Sequence, residues 1–123
     1  MAPIAIPQMS SQANADKGLV EIQITVNNRL PQELKNIRIV LMLRDAQGNL
    51  LNAADQVIEI LGPIHKGQSL GPLQKVIPVA NDGTVCVEVT HIEALTLDYS
   101  MISVDGKDAS AAVANARNCQ RQY

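Results

Sequence analysis

Val20-Glu21-Ile22-Gln23-Ile24-Thr25-Val26 decides the fold of this chain. Its apolar residues are all β-branched and alternate with polar ones, the period of a strand with one buried and one wet face. Asn27-Asn28-Arg29-Leu30-Pro31 ends the segment, and the same period returns in Ile37, Ile39, Leu41 and Leu43, which predicts a second strand. Between that strand and the next, Asp45-Ala46-Gln47-Gly48-Asn49 reads as a hairpin loop on a type I turn, with Gly48 at positive φ.

The rest of the chain is punctuated in the same way. A third segment runs from about Leu50 to Ile60 and is broken by Leu61-Gly62-Pro63. A fourth covers roughly Gln68 to Val79, where Pro72 and Pro78 confine it to an edge or an irregular strand. Asn81-Asp82-Gly83 is a strong hairpin signal, after which Val85, Val87 and Val89 share a face. Leu95, Leu97, Tyr99 and Met101 continue the alternation, and a change of parity at Ile102 and Val104 implies a bulge or a strand that moves between sheets. Asp105-Gly106 is a further turn signal, and Ala109 to Ala116 reads as a final strand in preference to a short helix or a frayed tail. The sum is an all-β protein, an antiparallel β-sandwich of about seven strands.

A chain of 123 residues is one domain by size, with a core that needs no metal. Residues 1–16 are expected to form a flexible N-terminal arm, and 17–123 a single sandwich domain with its C-terminal tail tied by a disulfide. Phe and Trp are absent and Tyr99 and Tyr123 are the only aromatics, so Ile, Val and Leu must build the core. A net charge of −2 gives no footprint for nucleic acid. No apolar run approaches the roughly 20 residues of a membrane-spanning helix. Met1 to Pro7 has no basic region and reads as the start of a mature chain whose signal peptide has been removed, so a secreted or periplasmic location is expected.

Cys86 and Cys119 are the only cysteines, and in a secreted chain they favour one structural disulfide. Cys86 lies between Val85 and Val87 and so points away from the face those valines bury, where it can capture the tail. Closing that loop would add about 3–4 kcal/mol in the chain-entropy description. A redox pair has little support without Cys-x-x-Cys spacing, while an intermolecular bridge in a dimer stays open. His65 and His91 are scattered, the carboxylates are spread singly, and no nucleophile elbow or phosphate-cradling loop is present. Neither enzymatic activity nor a metal or other cofactor is therefore expected.

Surface remains. The outward row of the second strand reads Arg38, Val40, Met42, Arg44, two apolar residues bracketed by arginines. It is either a partner-binding patch or ground covered by the tail. Tyr99 is either an interface anchor or a core aromatic, and the scarcity of aromatics favours the core. The apolar stretch Leu95 to Val104 needs pairing or cover, and exchange of this element with a second copy would supply it, predicting a homodimer.

Val20 to Asn28, Asp45 to Gly48 and Ile64-His65-Lys66-Gly67-Gln68-Ser69 together resemble secreted bacterial sandwich domains of the fibronectin type III-like and FxLYD-like kind, over most of residues 18–100. In size and cysteine pair the chain is also similar to the small secreted interleukin-receptor mimics of enterobacteria. That resemblance implies an immunoglobulin/fibronectin type III-like sandwich, a domain-swapped homodimer, and recognition of host proteins, cytokines of the interleukin class among them. The chain departs from ordinary members of those folds in lacking a core Trp. A different role, as a structural or assembly module of the bacterial envelope that pairs through an edge strand, fits the same residues.

Overall fold

Period-two burial is realised in two packed antiparallel sheets. The structure is a computed structural model that describes residues 3–14, 16–51, 56–79 and 85–113. Its strands are β1 (Ile4–Asn14), β2 (Leu19–Asn28), β3 (Leu34–Arg44), β4 (Gln56–Ile64), β5 (Ser69–Ile77), β6 (Cys86–Thr96) and β7 (Met101–Asp105), followed by helix α1 (Gly106–Ala111). One sheet has the order β1-β2-β5 and the other β4-β3-β6-β7, with every named pair antiparallel. The core is aliphatic, as the composition requires. Val20, Ile22, Ile24 and Val26 of β2 share it with Ile37, Ile39, Leu41 and Leu43 of β3, and Val87, Val89 and Ile92 of β6 join them. Each such side chain contributes about 1.5–3 kcal/mol by leaving water.

Bulges shape the edges. At β1 the register against β2 shifts between Ala5 and Gln8, where Pro7 lies. At β5 it shifts across Gly71-Pro72, between the partners of Ile24 and Val26. At β4 it shifts across Gly62-Pro63, between the partners of Leu34 and Asn36. A Cβ on Gly62 would lie 2.5 Å from the Lys35 carbonyl oxygen and 2.7 Å from that of Leu34. Only glycine admits so close an approach of β4 to β3.

Asn28 joins the loops at one end of the sandwich. It is fully buried. Its side-chain amide donates to the carbonyls of Gln32 (3.0 Å) and His65 (3.1 Å), and lies 3.5 Å from that of Ile64. Its Oδ1 accepts the Leu30 N–H at 3.0 Å. A buried polar side chain is tolerated because its donors and acceptor are matched.

Five expectations from sequence are corrected. Residues 4–14 are not an arm: they form edge strand β1, which buries Ile4, Ile6 and Met9. The Leu61-Gly62-Pro63 break is a bulge inside β4, because an edge strand can spare the missing N–H. The Leu95 to Val104 stretch is not one strand but the end of β6, a tight turn, and β7. The parity change within β6 comes earlier, at Thr90, the extra residue opposite Val40 and Leu41. Finally, Gly106–Ala111 is helix and not strand. Alanines favour a helix where no β-branched run competes. Packed there, α1 buries Ala109, and Ser110 Oγ donates to the Val89 carbonyl at 3.1 Å, covering the end of β6 that β7 does not reach. The Asn81-Asp82-Gly83 turn, residues 114–116 and Cys119 lie outside the described residues.

Candidate partner-binding surface

The connection from β6 to β7 contains neither Gly nor Pro, so side chains must shape it. Thr96 N–H donates to the Ser100 carbonyl at 2.9 Å, and Tyr99 N–H to the Thr96 carbonyl at 3.1 Å. The Thr96 hydroxyl donates to Asp98 Oδ1, while Ser100 N–H points at Thr96 Oγ1 (3.0 Å) and Asp98 Oδ1 (3.3 Å). The Thr96 hydroxyl, and after it the Ser100 amide, lower the Asp98 pKa below the ordinary carboxylate value. This is a three-residue hairpin loop, a type I turn closed by one residue in the left-handed region. That residue is Tyr99, with φ of 66°. The hairpin between β3 and Leu50 has the same two backbone bonds, Asp45 N–H to Asn49 (2.9 Å) and Gly48 N–H to Asp45 (3.0 Å). There the left-handed position holds Gly48, with φ of 87°.

Tyr99 is thus an aromatic where glycine is preferred, and it is 73% exposed. The expectation of a core aromatic is overturned, because the turn carries the ring outward past the end of the sheet. Lys35, the extra residue of β3 opposite β6, places Nζ 4.7 Å from the ring centroid. Register brings Leu61 of β4, Asn36 of β3, Leu95 of β6 and Met101 of β7 into one row on the outer face of the sheet. Leu61 is 78% and Met101 55% exposed, and Leu97 in the turn is also exposed. Sequence reasoning placed Leu95 and Met101 in one apolar stretch but missed Leu61, which only strand order and bulges make their neighbour.

The next row is charged: Glu59, Arg38, Glu93 and Ser103 lie side by side. Beyond it come Val57, Val40, His91 and Asp105. His91 Nε2 is 2.8 Å from Glu93 Oε1, and Nδ1 contacts Asp105 Oδ1. Carboxylates accept, so these contacts favour the ring with a proton on both nitrogens, and hydrogen bonding to Glu93 and then Asp105 raises the His91 pKa.

The sequence-selected residues therefore divide. Arg38 is exposed and lies one row from the apolar cluster. Val40 and Met42 are half-buried. Arg44 is committed elsewhere, with Nε 3.2 Å from Glu88 Oε1 and Nη1 donating to the Gly48 carbonyl at 2.8 Å. From Lys35 beside Tyr99 to Arg44 the strand runs about 30 Å. Arg44 and Tyr99 thus sit at opposite ends of the sheet. Cys86 pairs with Arg44 in register, is half-buried, and has a bonding partner.

Other features are plainer. His65 faces Glu33 at 2.8 Å on the surface, far from His91 in the register. A shallow depression of about 260 Å³ on the three-stranded sheet is lined by uncharged residues, among them Pro7, Gln8, Gln23 and Pro72. Among the described residues no three His, Cys, Asp or Glu side chains gather to hold a metal ion, and no helix is long and apolar enough to cross a membrane.

No protein-family model matches the chain, and no curated protein matches it in sequence. Among solved structures, the X-ray structure of Northeast Structural Genomics Consortium target SoR45 is similar at 15% sequence identity and a TM-score of 0.42, over 85% of this chain and 83% of that one. A likeness that distant carries no argument about function.

Proposed function

We propose that this chain is a secreted or periplasmic binding module that recognises a partner protein, without catalysis, through the end of the four-stranded sheet around Tyr99. One observation carries the reading: an exposed aromatic is held in the left-handed region by a hydrogen-bonded turn, beside the apolar row of Leu61, Leu95 and Met101. Strained backbone persists only where the surrounding structure holds it, and it clusters at functional sites. Tyrosine supplies a rigid anchor of large area, and Lys35 and Arg38 provide a charged rim.

The resemblance to interleukin-receptor mimics gives the partner class, a host cytokine, and with it a homodimer. Cys86 and Cys119 form the bridge that ties the tail to the opposite end of β6 in this proposal, leaving the Tyr99 end clear. Surface plasmon resonance against an interleukin panel tests both levels. Binding should weaken by tenfold or more, about 1.4 kcal/mol, in Tyr99→Ala and Met101→Ala. No response to any interleukin would reject the cytokine class. Binding indifferent to both substitutions would reject the surface.

A further inference from the structure

We propose that the open edge of β7 is a β-augmentation site, taking an extended segment of the partner protein whose alternate apolar residues are flanked by basic ones. The inference rests on the recognition reading above and specifies how the partner engages that end of the sheet.

The four edge strands are not alike. β1, β4 and β5 each carry a proline at a register shift, at Pro7, Pro63 and Pro72, and such devices blunt an edge against pairing. β1 is further engaged by the Ile6 N–H donating to the Ala112 carbonyl at 2.8 Å. β7, Met101-Ile102-Ser103-Val104-Asp105, has no proline, no lysine and an unbroken register against β6. Because Thr96 and Ser100 form a hydrogen-bonded pair, alternation makes Met101, Ser103 and Asp105 the non-bonded positions opposite β6. The N–H and C=O groups of Met101 and Ser103 and the N–H of Asp105 therefore point along the free edge, the Asp105 carbonyl belonging to the N-cap of α1. All three residues are exposed, and Ile102 and Val104, which pack on the core, are only half-buried, with no strand beside them among the described residues. An added strand would cover their flanks on one face and Met101 on the other.

Charge selects the occupant. Asp98 precedes β7, and Asp105 and Asp108 end and follow it, against Lys107, the His91 that contacts Asp105, and Lys35 on β3 beside Tyr99. Two copies paired antiparallel along β7 would bring acidic ends together. A segment with basic flanks meets the Asp98 carboxylate at one end and those of Asp105 and Asp108 at the other.

The test is amide hydrogen exchange on the full chain, using as probe the blocked peptide Lys-Val-Thr-Val-Thr-Val-Lys. At a saturating concentration, exchange at Met101, Ser103 and Asp105 should slow by about tenfold or more. Ser103→Pro removes the central edge donor without touching the β6 ladder and should abolish the effect. Ser103→Lys, which keeps the donor and adds a cation, should weaken it, so the result stands even if the proline variant misfolds. A glutamate-flanked peptide should bind about tenfold more weakly. Unchanged exchange, or equal binding of the two peptides, overturns the proposal. A doubled mass without peptide that Ser103→Pro returns to one chain assigns the edge to a second copy and also overturns it. Partner binding that falls in Tyr99→Ala yet ignores Ser103→Pro rejects this inference while leaving the recognition surface standing.

Discussion

Replacing Tyr99 by glycine should stabilise the protein, and replacing it by alanine should not. At φ of 66° an L side chain is strained by about 1–2 kcal/mol, which glycine does not incur. The ring returns little of this, being 73% exposed. Its contact with Lys35 Nζ at 4.7 Å contributes about 0.5–1 kcal/mol at such a site. Tyr99→Gly therefore gains roughly 1 kcal/mol and loses roughly 0.5, a net stabilisation of about 0.5 kcal/mol. Tyr99→Ala keeps the strain and loses the ring, a destabilisation of about 0.5 kcal/mol. The two variants should differ by about 1 kcal/mol in favour of glycine, the reverse of their order inside a helix or strand. Gly48 shows that the same turn accepts glycine. Urea unfolding at a common m-value reads the difference as a shift in midpoint. An alanine variant as stable as the glycine variant, or more so, would refute the assignment of strain to Tyr99.

Asn28→Ala should cost about 2–3 kcal/mol in the same assay, because it strips donors from the Gln32 and His65 carbonyls and an acceptor from Leu30 N–H; a loss under about 0.5 kcal/mol would show the node to be dispensable. Gly62→Ala should destabilise by about 1–3 kcal/mol or more, since its Cβ meets two backbone oxygens that cannot move aside; wild-type thermal stability would contradict this. Stability should also depend on the His91 charge. Its pKa is raised on folding, so its contribution is complete below the unfolded value of about 6.5 and is lost as pH rises through the folded value. Denaturation midpoints taken upward from about pH 6 should fall more steeply in wild type than in His91→Gln, and parallel profiles would dismiss the effect.

The sandwich was legible wherever one face of a strand is buried along its whole length. Val20 to Val26 and Ile37 to Leu43 announce themselves because the sheet period and the burial period coincide. β1 was illegible because Pro7 shifts its register, so Ile4, Ile6 and Met9 follow no single period. The turn after β6 was missed because Thr96 and Asp98 do with side-chain hydrogen bonds what Gly or Pro does elsewhere. The site was half legible. Tyr99 stood out as a rare aromatic, but its direction depends on one backbone angle, and while Leu95 and Met101 flank it in sequence, Leu61 comes from a strand more than 30 residues away, joined only by register.

The Asn28 node has a consequence for motion. The carbonyls it binds belong to the loop leading into β3 and to the end of β4, the strands that begin the row beneath Tyr99. The pole proposed to meet a partner is accordingly the welded one. Fluctuational opening should begin at the far pole, and the slowest spontaneous solvent exchange should be found under the proposed recognition surface, the inverse of proteins whose contact loops are their loosest parts. A partner binding there, as proposed, would meet a ready-made relief, with little ordering left to do on arrival.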